Sequence, residues 1–291
     1  MKKILITGKN GFLAKNLAKH LSECGFDARL VSVRGGAENI DLRDADCIVH
    51  TAAISSDKKG VPYSEYRRVN VETTRLLAQR AKECGVRSFV FVSSLFAMFD
   101  TPPKISSDTV LGKNSLCAPQ NFYGKSKLEA EKALEGFAAE NFKIAVVRPP
   151  IIYGEGGAGN YALLKKIALK LPVLPDIENR KSMIYAGNLC ELIKLIIENQ
   201  SSGLFLPQNA ELVSTKEMMD EIAKANGKKA HFSKLFGLGI KLFGNFVPQL
   251  RKAFGNLYYA PEQSDCFGGK YRIFGFAESI RRTESGNNGQ K

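Results

Sequence analysis

Paired cysteines are missing from this sequence of 291 residues. Its six cysteines stand tens of residues apart and form no CxxC pair, which is the spacing typical of zinc sites and redox dithiols. We therefore predict no metal site. Isolated cysteines of this kind are typical of reduced thiols in a reducing compartment.

Long apolar runs are also absent. No stretch approaches the roughly 20 apolar residues that a membrane-spanning helix needs, so no transmembrane segment is expected. The basic start at residues 1–3 resembles the beginning of a signal peptide, but the apolar run behind it covers only residues 4–6. A cytoplasmic location is therefore expected.

Acidic residues are scarce: 29 Asp and Glu face 42 Lys and Arg, for a net charge of +13. This excess favours anionic partners such as a phosphorylated small molecule. The basic residues are spread along the chain, so no nucleic-acid partner is expected. Residues 231–254 interleave Phe and Leu with Lys and Arg, but Gly237, Gly239 and Gly244 interrupt that pattern. We expect this segment to pack on its own domain, and peripheral membrane contact is not expected.

Short apolar strands alternate with amphipathic helices over the first two-thirds of the chain, which predicts an α/β fold with parallel strands and helical crossovers. Strands are predicted at 2–7, 29–33, 46–50, 88–92 and 143–147, and helices at 12–24, 64–84 and 124–139. Only about a dozen residues separate the second and third strands, so their crossover must be minimal. The alternation of strands and helices changes near residue 150. Beyond it, helices are predicted at 161–171, at 188–199 and after a capping box at Ser214 and Glu217.

These patterns predict a dinucleotide-binding domain over residues 1–155, to which the chain returns near 183–200. Residues 156–282 would form a smaller substrate-binding domain. The polar composition of residues 283–291 predicts a disordered tail.

A glycine loop follows the first strand and opens the first helix. Gly8 allows a tight turn, Gly11 allows close backbone approach, and the small Ala14 lets the helix pack on the strand. The helix N-terminus would face a pyrophosphate. The sequence therefore predicts a dinucleotide site.

Tyr123 and Lys127 stand four residues apart, which places both on one face of a helix. Bringing the pKa of a tyrosine from about 10 to neutrality takes roughly 4 kcal/mol in favour of the phenolate. An ammonium at about 5 Å supplies about 3 kcal/mol at an effective dielectric constant of about 20. The pair indicates a proton-transfer site beside a bound cofactor, although a solvated helix face shows the same spacing.

Seven motifs in order resemble the extended short-chain dehydrogenase/reductase family, which contains the nucleotide-sugar epimerases and dehydratases. They are the loop at residues 7–12, Asp41 with Leu42, Thr51 with Ala52 and Ala53, Asn70 with Val71 and Thr74, Ser93 with Ser94, Tyr123 with Lys127, and Arg148-Pro149 with Tyr153-Gly154. The resemblance implies a Rossmann-type doubly wound parallel sheet with a smaller C-terminal substrate-binding domain.

The resemblance also implies roles for single residues. Tyr123 would be the general acid/base, Lys127 would lower the pKa of Tyr123 and bind the nicotinamide ribose, and Ser94 would align the reacting oxygen. Asn70 would steady the active-site backbone and a proton-relay water. The cofactor would be NAD or NADP, held by Gly8, Lys9, Asn10, Gly11, Phe12, Leu13, Arg34, Asp41, Leu42, Thr51, Ala52, Ala53, Tyr123, Lys127, Pro149, Pro150 and Ile151.

Two departures from the family pattern bear on cofactor and reaction. Arg34 stands where NAD-specific relatives place an acid, and a guanidinium there suits the 2′-phosphate of NADP. Leu95 and Phe96 follow Ser94 where the dehydratases of the family carry an Asp-Glu pair. Dehydration is therefore disfavoured, which leaves 4-epimerisation or 4-keto reduction of a nucleotide sugar; a non-catalytic sensor or scaffold is the alternative of another class.

The resemblance implies a nucleotide diphosphate sugar as substrate, with a UDP-linked sugar as the first expectation. Arg180, Lys181 and Arg251 are candidates for the diphosphate, and Asn160 and Tyr161 for the sugar or uracil. The final stretch, over residues 254–284, is similar to enzymes of bacterial surface-polysaccharide clusters. Related folds often form homodimers through the two helices that carry Asn70 and Tyr123, so a homodimer is expected.

Overall fold

The fold is known from a computed structural model that describes residues 1–56, 58–157 and 159–288. Its strands are β1 (Lys3–Thr7), β2 (Asp27–Val31), β3 (Cys47–His50), β4 (Ser88–Val92), β5 (Asp108–Leu111), β6 (Lys143–Val147), β7 (Ile151–Tyr153), β8 (Leu174–Pro175), β9 (Met183–Tyr185), β10 (Gly203–Phe205), β11 (Phe232–Ser233) and β12 (Asn256–Tyr259). Its α-helices are α1 (Phe12–Glu23), α2 (Tyr63–Tyr66), α3 (Thr73–Glu83), α4 (Phe122–Glu135), α5 (Asn160–Lys170), α6 (Ala186–Glu198), α7 (Thr215–Ala225), α8 (Lys234–Phe243), α9 (Pro248–Phe254) and α10 (Phe276–Asn288).

A six-stranded parallel sheet, in the order β2-β1-β3-β4-β6-β10, forms the centre of the described structure. The chain leaves β1 in opposite directions toward β2 and β3, which makes the carboxyl ends of these strands a topological switch point. The predicted doubly wound α/β fold is confirmed. Strands β4 and β6 have the predicted bounds, whereas β2 begins and ends two residues earlier than predicted, because Asp27 pairs with Lys3.

The alternation of side chains in the strands builds a core on each face of the sheet. Ile4 and Ile6 point to one face, where α1 and α6 cover them, and Leu5 points to the other. A short 3-10 helix at Ala37–Asn39 forms the minimal crossover between β2 and β3. A π-helical segment, Arg67–Glu72, joins α2 to α3 and presents Asn70 to the interior.

A separate cluster, built from α5, α7, α10 and the pair β7-β9, forms the core of the C-terminal part. The capping box of Ser214 and Glu217 at the start of α7 is confirmed. The predicted tail is wrong for residues 283–288, which continue α10. Glu284 is buried there because it accepts a hydrogen bond from Tyr161 (2.7 Å) and forms an ion pair with Lys165 (2.6 Å). Residues 289–291 lie outside the described part of the chain.

Candidate active site

A cavity of about 900 Å³ opens at the carboxyl ends of the central strands. Such an edge is where open α/β sheets bind their ligands. The predicted residues found on its wall are Gly8, Lys9, Asn10, Gly11, Phe12, Leu13, Arg34, Thr51, Ala52, Ala53, Ser94, Tyr123, Lys127, Pro149, Pro150, Ile151, Asn160 and Lys181. The fold therefore brings the glycine loop and the Tyr123 helix, more than a hundred residues apart in sequence, to one space.

The first glycine of the loop, Gly8, has no room for a side chain. Gly8 has a φ of +87°, and a Cβ there would lie 2.7 Å from Thr51 Oγ1. Gly11 donates its N–H to the Gly8 carbonyl (2.6 Å) and directly precedes α1. The first N–H groups of α1 and the bare backbone of the loop thus face the cavity, an arrangement that fits the pyrophosphate of a dinucleotide.

Tyr123 lies in the first turn of α4 with its side chain half-buried on the cavity wall. Asn121 caps this helix by accepting the Gly124 N–H (2.8 Å), which fixes where Tyr123 stands. The ring of Phe96 packs edge-on against that of Tyr123, with centroids 6.4 Å apart. Burial raises the pKa of Tyr123, and the neighbouring Ser94 hydroxyl acts in the opposite direction.

Lys127 lies one turn further along α4 and is almost wholly buried. Its Nζ donates to the Val92 carbonyl (2.8 Å) and lies 4.6 Å from the centroid of the Phe91 ring. Burial lowers the pKa of Lys127 to about 7, while the Glu131 carboxylate partly opposes that effect. A lysine with such a pKa can lose or gain a proton near neutral pH.

Asn70 does not line the cavity but holds two of its walls together. Its Oδ1 accepts the Ile54 N–H (2.8 Å), and its Nδ2 donates to Ser126 Oγ on α4 (2.9 Å). Because the side chain is 1 % exposed, both bonds are shielded from water. The loop after β3 is thereby fixed relative to the helix that carries Tyr123.

His50, which the sequence motifs did not single out, extends this network to the glycine loop. The Thr7 hydroxyl accepts the Thr51 N–H (3.1 Å) and therefore donates to His50 Nδ1 (2.7 Å). His50 Nε2 then donates to Thr74 Oγ1 (2.9 Å), whose hydroxyl donates to the Asn70 carbonyl (2.7 Å). Burial lowers the pKa of His50 to about 3, so the ring stays neutral.

A second buried network lies beneath Lys127. Arg148 donates to Glu131 through Nε (3.0 Å) and through a second, shorter bond, and the Ser93 hydroxyl donates to the same carboxylate. Arg148 and Glu131 are each less than a tenth exposed. The arginine of the Arg148-Pro149 motif therefore acts behind the wall, where it holds α4 against the end of β6.

Cations dominate the described wall of the cavity. Lys9, Arg34, Lys127, Lys181 and Lys252 line it, whereas Asp100 is the single acidic residue of the described part that does so. Asp100 Oδ2 accepts the N–H groups of residues 120 and 121, at 2.8 and 2.7 Å, and so anchors the start of α4. The described wall is thus suited to an anionic ligand.

Two predicted cofactor residues lie away from the cavity wall. Asp41 is exposed and forms a paired ion contact with Arg43 (2.9 Å), and Leu42 is buried in the core under α3. Neither side chain is part of the described wall, and contact of this pair with a bound cofactor stays a prediction.

Three predicted substrate residues also lie off the wall. Tyr161 points into the C-terminal core, where it donates to Glu284. Arg180 is exposed and pairs with Asp108 (3.7 Å), and Arg251 donates to the Pro102 carbonyl behind the wall. Lys252, next to Arg251, lines the cavity instead. The two residues follow each other in α9, so their side chains point in different directions.

Lys181 and Lys252 are neighbours on the cavity wall. Lys181 is 7 % exposed and donates to the Lys252 carbonyl, and its pKa is lowered to about 8 by burial and by the Lys252 charge. Ser182 and Asn160 also line the cavity. Two ammonium groups beside polar side chains form a suitable site for a diphosphate.

Comparisons with known proteins identify the family of this chain. The family described as "NAD dependent epimerase/dehydratase family" matches residues 4–205. A UDP-glucose 4-epimerase of Vibrio cholerae is 31% identical over 282 residues, covering 84% of this chain and 83% of that protein. An N-acetyl-alpha-D-glucosaminyl-diphospho-ditrans,octacis-undecaprenol 4-epimerase of Escherichia coli O157:H7 is 33% identical over 208 residues, covering 69% of this chain and 61% of that protein.

Among solved structures, a UDP-glucose 4-epimerase of Thermus thermophilus in complex with NAD shares the fold, with a TM-score of 0.73 and 20% identity over 99% of this chain and 100% of that one. The family match spans the whole central sheet, and the first relative covers most of the chain. The chain belongs to the NAD dependent epimerase/dehydratase family and is an enzyme of the extended short-chain dehydrogenase/reductase type.

Proposed function

We propose that this enzyme is a nucleotide-sugar 4-epimerase. The observation that carries the proposal is the placement of Ser94, Tyr123 and Lys127 on the wall of the cavity that also holds the glycine loop. That cavity continues to the cationic end at Lys181 and Lys252. One ligand space therefore joins a proton-transfer group, a dinucleotide cradle and a diphosphate site.

Tyr123 would move the proton. Its phenolate oxygen would take the proton of the sugar 4-hydroxyl and later return it to the 4-keto oxygen, while Ser94 donates to the same oxygen. Burial in the cavity free of cofactor raises the pKa of Tyr123, so the phenolate must be stabilised by charge that arrives with the ligands and by a protonated Lys127. A cationic nicotinamide would supply part of that charge.

NAD or NADP fits the described residues, since a Cβ at Gly8 would collide with Thr51 and α1 begins at the cavity. The glycine loop, Lys9, residues 51–53 and residues 149–151 would hold it. When bound, the nicotinamide supplies the acceptance and return of a hydride at carbon four. Asn70 and His50 keep the loops around that position fixed through the buried network described above.

Arg34 favours NADP over NAD. It lies on the cavity wall after β2, exposed, and Lys9 lines the same end. Affinities of the cofactor-free protein for NAD and NADP test this preference, with an Arg34→Ser variant as the control. Binding of NAD as tight as that of NADP would contradict it.

The reaction type rests on what surrounds Tyr123. Leu95 and Phe96 stand where elimination of water would need an acid and a base, and the Asp100 carboxylate already accepts two backbone N–H groups directly before α4. Among the described residues of the wall, elimination therefore has no carboxylate available. Reversible hydride transfer at carbon four, as in the relatives' 4-epimerase names, would require only Tyr123, Lys127 and Ser94 beside a bound nicotinamide that accepts and returns the hydride.

The diphosphate would bind Lys181 and Lys252, and Asn160 would contact the sugar or uracil. A UDP-linked sugar is the first candidate, from the name of the Vibrio relative. A lipid-linked diphosphate sugar is the second, from the name of the Escherichia relative. A role in surface-polysaccharide synthesis and a homodimer through α3 and α4 are part of the same proposal.

The test uses purified protein and two UDP-sugars that differ only in their configuration at carbon four. NMR follows the products. We expect the wild type to interconvert the two sugars without added reductant. A Tyr123→Phe variant should retain cofactor binding but lose turnover by at least roughly a thousandfold, whereas a Tyr63→Phe control should keep full activity. Consumption of NADPH with a 4-keto sugar in place of interconversion would establish the 4-keto reductase alternative. Cofactor binding without either reaction would establish a sensor or scaffold.

A further inference from the structure

The outer face of α8 and the 3-10 turn Gly244–Phe246 carries large apolar side chains that nothing in the described structure covers. Leu235 is 80%, Leu242 60%, Phe243 69% and Phe246 84% exposed. Phe236 and Leu238 on the same helix are about half exposed. Contiguous exposure of this kind on one short segment indicates a binding surface.

Two of the three glycines in this segment, Gly237 and Gly244, face inward, whereas Gly239 lies on the outer side with open space at its Cβ position. A Cβ at Gly237 would collide with the Asp176 carbonyl oxygen, and one at Gly244 would lie 2.6 Å from Ile105 Cδ1. With Ile240 they form the packed side of α8. At about 100° per residue, the exposed leucines fall on the opposite side. The expectation that the segment packs on its own domain is wrong for this outer face.

Charge identifies what this face can contact. Residues 222–261 contain six Lys and one Arg but no Asp or Glu, whereas the whole chain has 29 acidic residues. Lys234 and Lys241, one heptad apart, flank the apolar stripe of α8, and both are exposed. A second copy of this surface would bring like charges together, whereas an anionic lipid surface complements them.

The face lies beside the substrate end of the cavity. Asn245, between α8 and α9, accepts the Ile105 N–H through Oδ1 (2.8 Å), and Arg251 on α9 donates to the Pro102 carbonyl. Pro102 and Lys252 line the cavity. A surface bound to α8 would therefore lie close to the cavity's diphosphate end.

We propose that the enzyme binds an anionic membrane surface through α8 and the 3-10 turn Gly244–Phe246. The apolar side chains enter the headgroup boundary, and Lys234 and Lys241 contact lipid phosphates. The binding is peripheral, since no helix in the described part of the chain has the length and apolar character to cross a bilayer. This attachment goes beyond the proposed reaction and does not depend on it.

Flotation of the full-length protein with vesicles tests the proposal. Vesicles of phosphatidylcholine with about 30% phosphatidylglycerol should bind the protein at least tenfold more tightly than vesicles of phosphatidylcholine alone. The variant Leu235→Gln/Leu242→Gln/Phe246→Gln should lose this binding by roughly tenfold or more, as should Lys234→Glu/Lys241→Glu. The control Leu116→Gln/Ile273→Gln, which changes exposed apolar residues of other segments, should bind like the wild type.

All the altered side chains are exposed, so circular dichroism and thermal unfolding should match the wild type. Turnover of a water-soluble UDP-sugar should also be unchanged in the triple variant, which separates this proposal from the proposed reaction. Absence of flotation for the wild type, or equal flotation of the triple variant, overturns the proposal. So does a wild-type dimer that the triple variant loses while vesicles bind neither protein, because a second copy would then cover the face.

Discussion

Replacing Lys127 with Met should stabilise the fold while abolishing activity. The ammonium group is buried, and its pKa falls from the usual 10.5 to about 7. The unfolded chain releases this buried group to water, where it binds its proton up to a higher pH. Between about pH 7 and pH 10.5 the unfolded state therefore binds more protons, and stability rises with pH.

The size of the effect follows from the two pKa values. Below about pH 7 the buried amine costs the folded state in full, which is about 5 kcal/mol at 1.36 kcal/mol per pKa unit. Lys127→Met removes this cost but leaves the Val92 carbonyl without its hydrogen-bond donor, at about 1 kcal/mol. The variant should be more stable than the wild type by roughly 3–4 kcal/mol near pH 6.5. Near pH 8.5 this difference in stability should be smaller by about 2 kcal/mol.

Urea unfolding of the cofactor-free proteins at these two pH values measures the difference in free energy of unfolding between the variant and the wild type. Lys125→Met is the matched control, because Lys125 is exposed on the same helix and its replacement should change the free energy of unfolding little. Turnover should be lost in the Lys127 variant only. If the difference in free energy of unfolding between Lys127→Met and the wild type is the same at both pH values, the argument is refuted. Lys127 would then not be a desolvated amine that titrates near neutrality.

Two further substitutions test the architecture around the cavity. Gly8→Ala should cost about 1–2 kcal/mol and at least roughly tenfold in cofactor affinity, because of its φ of +87° and the Thr51 contact, as read by urea unfolding and cofactor titration. Gly60→Ala, with a φ of +81° but open space, is the control, and an equal affinity loss there would argue against the contact. Arg148→Met should cost about 3–5 kcal/mol by leaving Glu131 buried without its partner. Urea unfolding should show partial recovery when Glu131→Leu is added, and a loss below about 1 kcal/mol would contradict the argument.

Local patterns predicted the parts of the site whose spacing is short in sequence. Gly8 and Gly11, and Tyr123 with Lys127, could be assigned because one turn or one helix fixes their relation, and all four line the cavity. Such short-range patterns do not show whether a side chain points into the cavity or into the core. Tyr161 follows the cavity residue Asn160 directly, yet it points into the core.

Partners distant in sequence decided the remaining residues. Glu284 stands in a segment of polar composition, but its partner Tyr161 lies more than a hundred residues away, so composition alone indicates a tail. His50 belongs to an apolar strand, and only the approach of β1 and α3 supplies Thr7 and Thr74 as its partners. Gly237 and Gly239 both stand in the apolar pattern of α8, and only the packing showed that Gly237 faces inward while Gly239 faces open space.

The α/β class, the order of strands and helices, the dinucleotide loop and the Tyr123–Lys127 pair could all be inferred from the order of residues, because they depend on periodicity and on contacts within a few residues. Three other properties emerged only when the chain was folded: which cations line the cavity, the burial that lets Lys127 titrate near neutrality, and the outward direction of the apolar side of α8. Each of these depends on what packs against a side chain from elsewhere in the chain, and burial of that kind sets both the pKa of a charge and the exposure of an apolar surface.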